Sequence, residues 1–198
     1  MKNQIIELAR QAISIKSTAD NVENLKKIIV LFTEPFHDTA IFDVTHFMNN
    51  GKPSALIKPK LKEPKIWFNA HLDVVPGRDI LFNPVIKNNK LFGRGALDMK
   101  TAAASLTLLT KHLIKSGHVV GLMLVTDEEI LGYMGGYSVA YSIITSYQPG
   151  NIQTPPYWYF PFYYTTPNVH DFLQGVPLED SKLSMNFSGN SNKMLLFS

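Results

Sequence analysis

Histidine and carboxylate residues gather in three short clusters whose spacing could hold and use a metal ion. They are His71-Leu72-Asp73, the run Gly93-Arg94-Gly95-Ala96-Leu97-Asp98-Met99-Lys100, and Asp127-Glu128-Glu129. Residues two apart on a strand point to the same side. A histidine ligand with a carboxylate at that spacing is a common arrangement at a metal, because the acid orients the ring and raises its basicity. A lone His-x-Asp is nevertheless usually unrelated to metal. Asp98 stands where a helix should begin. It could simply cap that helix, or it could offer its carboxylate to two cations. Three adjacent acids are most simply a solvated loop. Alternatively they divide labour, one Glu binding metal and the other taking a proton from water. Gly93 and Gly95 superficially suggest a dinucleotide site, but that fingerprint needs glycine where Asp98 stands, and a carboxylate there would repel phosphate.

The elements around these clusters can be read from periodicity. Ile5, Ile6, Leu8, Ala9, Ala12 and Ile13 recur at helical spacing, and Asn21 should cap a second helix that stops before Pro35. Strands are expected near 40–47 and 54–57, split by Asn49, Asn50 and Gly51, and again over 65–70. A loop follows over 71–84. Asp98 to Ser116 reads as a helix stopped by Gly117, and Val119 to Val125 as a buried strand. A further helix is expected to run through Ile144. Each cluster falls at a strand end, which is where open α/β sheets place their sites. The expected class is α/β, with a mostly parallel sheet flanked by helices.

The order and spacing of the three clusters resemble the M20 metallohydrolases, the acetylornithine deacetylase, succinyl-diaminopimelate desuccinylase and carboxypeptidase group. The matching stretches are Phe68 to Gly77, Leu91 to Lys100, and Thr126 to Glu129 with Gly135 and Gly136 after it. Ala70 stands where that family usually has glycine. The resemblance implies a zinc-exopeptidase-like fold, here incomplete, and hydrolysis of an amide bond in an N-acyl amino acid or small peptide. It implies two zinc ions, with His71 on one, Asp98 bridging both and Glu129 on the second. Glu128 would be the general base and Asp73 would orient His71. In this family the peptide bond after the bridging Asp is commonly cis.

Residues 1–147 are therefore expected to be a partial catalytic domain, and 148–198 a tail without family resemblance. Prolines and aromatics crowd Pro155 to Tyr164, and no Asp or Glu lies between Glu129 and His170. The family's two remaining ligands have no evident counterpart, since the surroundings of His170 and Asp171 do not resemble them. Its dimerisation domain is also expected to be missing. These features suggest a truncated product whose reading frame changes near Tyr147. Such a chain would be impaired, or would be an inactive fragment that binds metal or ligand weakly.

Composition narrows the remaining classes. The chain has no cysteine, so thiolate catalysis and disulfides are excluded. Apolar residues make up 45%, charged residues 18%, and the net charge is +3, which is ordinary for a globular protein. Lys58, Lys60, Lys62 and Lys65 form the densest basic stretch and read as a lysine-protected strand face, without the arginine and aromatics of a nucleic-acid site. No run suits a membrane span or a signal peptide, so the expected location is the cytoplasm, with neither nucleic acid nor membrane as partner.

Overall fold

The computed structural model describes residues 1–130. Two helices, α1 (Lys2–Ser14) and α2 (Val22–Thr33), come first. The strands β1 (Phe42–Asn49), β2 (Lys52–Pro59) and β3 (Ile66–His71) follow. A small hairpin, β4 (Val85–Lys87) and β5 (Lys90–Phe92), leads to α3 (Lys100–Lys115) and β6 (Val120–Val125).

Four strands form one sheet in the order β1-β2-β6-β3. The β1–β2 and β2–β6 ladders are antiparallel and β3–β6 is parallel. The α/β class holds, but among the described strands the sheet is mixed rather than mostly parallel. The reason is local. Asn50 and Gly51 both take positive φ, 47° and 76°, and close a two-residue hairpin, which forces β1 and β2 antiparallel. The parallel pair is the one that carries the candidate site.

Burial explains this order. All six residues of β6 are buried, as expected of a central strand covered on both faces. Its Leu122 and Leu124 meet Ala9 and Ala12 of α1, Ile28 and Phe32 of α2, Ile57 of β2 and Ala103 and Ala104 of α3 in one core. Each fully buried Leu, Ile or Phe contributes about 1.5–3 kcal/mol. Gly121 faces Trp67 across the β3–β6 ladder, and a Cβ there would come 2.2 Å from the indole. The bulk of the indole thus fills the space that a side chain at 121 would need.

Several local expectations hold. Asn21 caps α2 by accepting the N–H of Asn24 at 3.1 Å. Three differ. The expected loop over 71–84 contains a 3-10 turn at Asp79–Phe82. The β4–β5 hairpin, turned by Asn88 and Asn89 at φ 50° and 58°, was not expected from its short strands. Lys60 and Lys62 lie beyond the end of β2, and β2 is an interior strand. Lys58 is not a solvated edge residue either, because it pairs with Asp43 and Glu63. Gly135 and Gly136, the helix expected through Ile144, the change near Tyr147, the 148–198 tail, His170 and Asp171 all lie outside the described residues. Among the described residues, no helix is long and apolar enough to cross a membrane.

Candidate metal centre

The parallel ladder brings two of the three clusters to the same level. His71, the last residue of β3, pairs with Val125, the last of β6. Leu72 N–H donates to Val125 O at 2.8 Å, so the register holds one step past His71. Beyond β6, Thr126 donates its hydroxyl to Pro53 O at 2.6 Å, and Glu128–Ile130 form a 3-10 turn. Both chains leave the sheet side by side, and their acids face the His71 ring.

Asp73 links the two. Its carboxylate is fully buried. Oδ1 accepts the backbone N–H of Glu128 at 3.2 Å, and Oδ2 accepts that of Glu129 at 2.9 Å. His71 Nδ1 lies 3.2 Å from the Asp73 carbonyl oxygen and 3.5 Å from Oδ1. The other ring nitrogen therefore faces the acids. Nε2 is 3.1 Å from Asp98 Oδ1 and 3.8 Å from Glu128 Oε2.

Asp98 does not cap α3. The N-terminal flanking position is Met99, with no side-chain cap, and the Asp98 side chain is 76% exposed apart from its contact with His71. The peptide bond between Asp98 and Met99 is cis. Met99 Sδ approaches His71 N at 3.4 Å, so the Asp98 loop is seated on the end of β3.

The charges are strongly coupled. Burial alone would push the His71 imidazolium down. Asp73, followed by Glu128 and Asp98, more than offsets this and lifts it to about 9. Burial raises the Glu129 carboxyl, His71 opposes the rise, and the neighbouring acids Asp73, Glu128 and Asp98 reinforce it. A group of this kind is short of positive charge. Ligand atoms of His71, Glu128 and Glu129 all lie within 4.8 Å of one another, close enough to share one ion. Asp98 Oδ1 lies 3.1 Å from His71 Nε2, and a nitrogen and oxygen set of this kind suits a divalent cation. A cation there would take the place of the proton on Nε2.

Every sequence-derived site residue thus falls in one locality: His71, Asp73, Asp98, Glu128 and Glu129. The sequence reading missed Ser17, in the α1–α2 connection. Its hydroxyl donates to Leu72 O at 2.7 Å, and its carbonyl accepts Val74 N–H at 3.1 Å, bracing the His71–Asp73 segment from 55 residues away. No local pattern marks a serine for such a task.

Comparison with known proteins agrees with this geometry. Residues 67–157 match peptidase family M20/M25/M40. A succinyl-diaminopimelate desuccinylase of Blochmanniella floridana is 30% identical over 159 residues, covering 73% of this chain and 40% of that protein. The chain thus spans less than half the length of that relative. Human carnosine dipeptidase 1 shares the fold with a TM-score of 0.57 at 14% identity, over 67% of this chain and 33% of its own. An M20 metallo-carboxypeptidase of Sulfolobus solfataricus does so with a TM-score of 0.54 at 17% identity, over 65% and 32%. The cluster at the β3–β6 end lies within the residues that match the M20 peptidase family, and the match covers only part of the length of such relatives.

Proposed function

We propose that this chain supplies the metal-holding and proton-transferring residues for hydrolysis of an amide bond in an N-acyl amino acid or small peptide. One observation carries the reading. His71, Asp98, Glu128 and Glu129 converge at the end of a parallel strand pair, with a buried Asp73 tying His71 to the Glu pair.

In this reading His71, Asp98 and Glu129 would hold zinc. Bound zinc would supply a Lewis acid that polarises the scissile carbonyl. Glu128 is half exposed, with Oε2 3.8 Å from His71 Nε2, and in this reading it moves the proton and does not bind the metal. Its carboxylate takes the proton of the attacking water and returns it to the departing nitrogen. Asp73 keeps the Nδ1 side of His71 engaged and so directs Nε2 into the site. The relatives named as a desuccinylase and a dipeptidase support the substrate class. A cytoplasmic setting belongs to the same reading and is compatible with the cysteine-free sequence.

The test combines metal content with turnover. The full chain, dialysed against trace zinc, is expected to retain it and to hydrolyse N-succinyl or N-acetyl amino acids at an impaired rate. Glu128→Gln should retain zinc while losing about 10²–10⁴-fold in rate. Zinc retained without any hydrolysis would favour the second reading, a metal-holding stretch that needs the rest of the catalytic region. The 40% coverage of the desuccinylase supports that alternative. No retained zinc would overturn both.

A further inference from the structure

We propose that Lys100 is a positioning residue that ties the Asp98 loop to the end of α1 and so sets where the Asp98 carboxylate stands relative to His71. This rests on the reading of Asp98 as a metal ligand, and Lys100 itself touches neither substrate nor metal in that reading.

Lys100 is completely buried, an unusual state for lysine unless its ammonium has partners. It has two. Nζ donates to Ala12 O at 2.9 Å and to Ile15 O at 2.7 Å. These carbonyls belong to the end of α1, which has no basic residue in its own last turn. Both carbonyls also accept a backbone N–H, Ala12 O from Ile15 and Ile15 O from Ser17, so Lys100 adds a second donor to each. A helix C-terminus favours a cation, and Lys100 brings one from 85 residues away.

The same residue closes the Asp98 loop. Lys100 N–H donates to Gly95 O at 2.8 Å, spanning the five-residue step from Gly95 to Lys100 that contains Asp98. Gly95 has φ +82°, and a Cβ there would come 2.8 Å from Lys100 Cδ and 2.9 Å from Val74 Cγ1. The glycine therefore leaves room for the lysine stem. Glycine, aspartate and lysine in this run form one device: a loop held at its base by a backbone bond and anchored through the Lys100 side chain. The anchor meets α1 immediately before Ser17, which braces the His71–Asp73 segment. The α1–α2 connection is thus the common footing of both loops.

Methionine-methyl NMR on the full chain without metal tests this directly. Met99 Sδ contacts His71 N, so its methyl reports on the Asp98 loop, while buried Met123 on β6 reports on the sheet. In Lys100→Met the Met99 signal should shift or broaden and the Met123 signal should stay. Cobalt(II) affinity should fall about 10- to 100-fold, the range seen when groups supporting a ligand are lost. Lys100→Gln keeps N–H donors on a shorter stem and serves if the first variant is unstable. An unmoved Met99 in a folded variant would overturn the assignment. So would an unchanged cobalt affinity in a variant whose Met99 has moved. Loss of the Met123 signal in both variants would also overturn it, because Lys100 would then support the whole fold. If the wild-type chain takes no cobalt, the metal reading fails, while Met99 still decides the role of Lys100.

Discussion

The Asp73 carboxylate accepts two backbone N–H groups, those of Glu128 and Glu129, while it also lies against His71. It therefore also holds the Glu128–Glu129 turn. Replacing it with Ala would leave two N–H groups without acceptors at a part-buried site and remove the largest contributor lifting the His71 pKa. Each hydrogen bond to a charged group is worth about 1.5–3 kcal/mol. Asp73→Ala is expected to lower metal-free stability by about 3 kcal/mol in urea unfolding. The His71 ring should also titrate at lower pH when followed by NMR. A variant as stable as wild type would show that the Glu128–Glu129 turn does not depend on Asp73.

The sheet does the positioning that single residues cannot. His71 and the Glu pair meet because β3 and β6 are parallel and end together, and Gly121 opposite Trp67 marks a close point of that pair. Gly121→Val would drive a side chain into the indole. It is expected to cost about 1–3 kcal/mol through overpacking and, in the proposed reading, to weaken zinc binding without touching a proposed ligand. Unfolding midpoints and zinc titration of the same variant check both effects. What was legible in the sequence follows from the same distinction. The clusters could be placed because each is local: His71 and Asp73 two apart at a strand end, Asp98 before a helix, and the acids after β6. The hairpin at Asn50-Gly51 was legible as a turn for the same reason. Lys100 was quoted only as the end of a motif, and Ser17 not at all. Their partners lie 85 and 55 residues away, and no periodicity encodes that reach. The β4–β5 hairpin was hidden by three-residue strands, too short to show alternation, although Asn88-Asn89 is a turn signal.

At the scale of the whole molecule, two buried groups set opposing pH dependences. The His71 pKa is raised from 6.5 to about 9, so its stabilising contribution is complete below about pH 6.5 and is lost as pH rises through 9. Burial lowers that of Lys100 from 10.5 to about 7, with Asp73 opposing. Between those values the unfolded chain binds the extra proton, so this contribution rises with pH. From about pH 7 to 9 the two slopes oppose, and metal-free stability should be nearly flat. Lys100→Met should unmask the His71 slope, a loss of about 1.4 kcal/mol per pH unit over most of that interval. In the proposed reading zinc would change the balance, because His71 would have to release its proton to bind it. Affinity should therefore climb about tenfold per pH unit from 7 toward 9 and then level. Competition titrations at fixed pH would show this. An affinity independent of pH would mean that the imidazole is already neutral without metal, and that the acids around Nε2 do not hold a proton there.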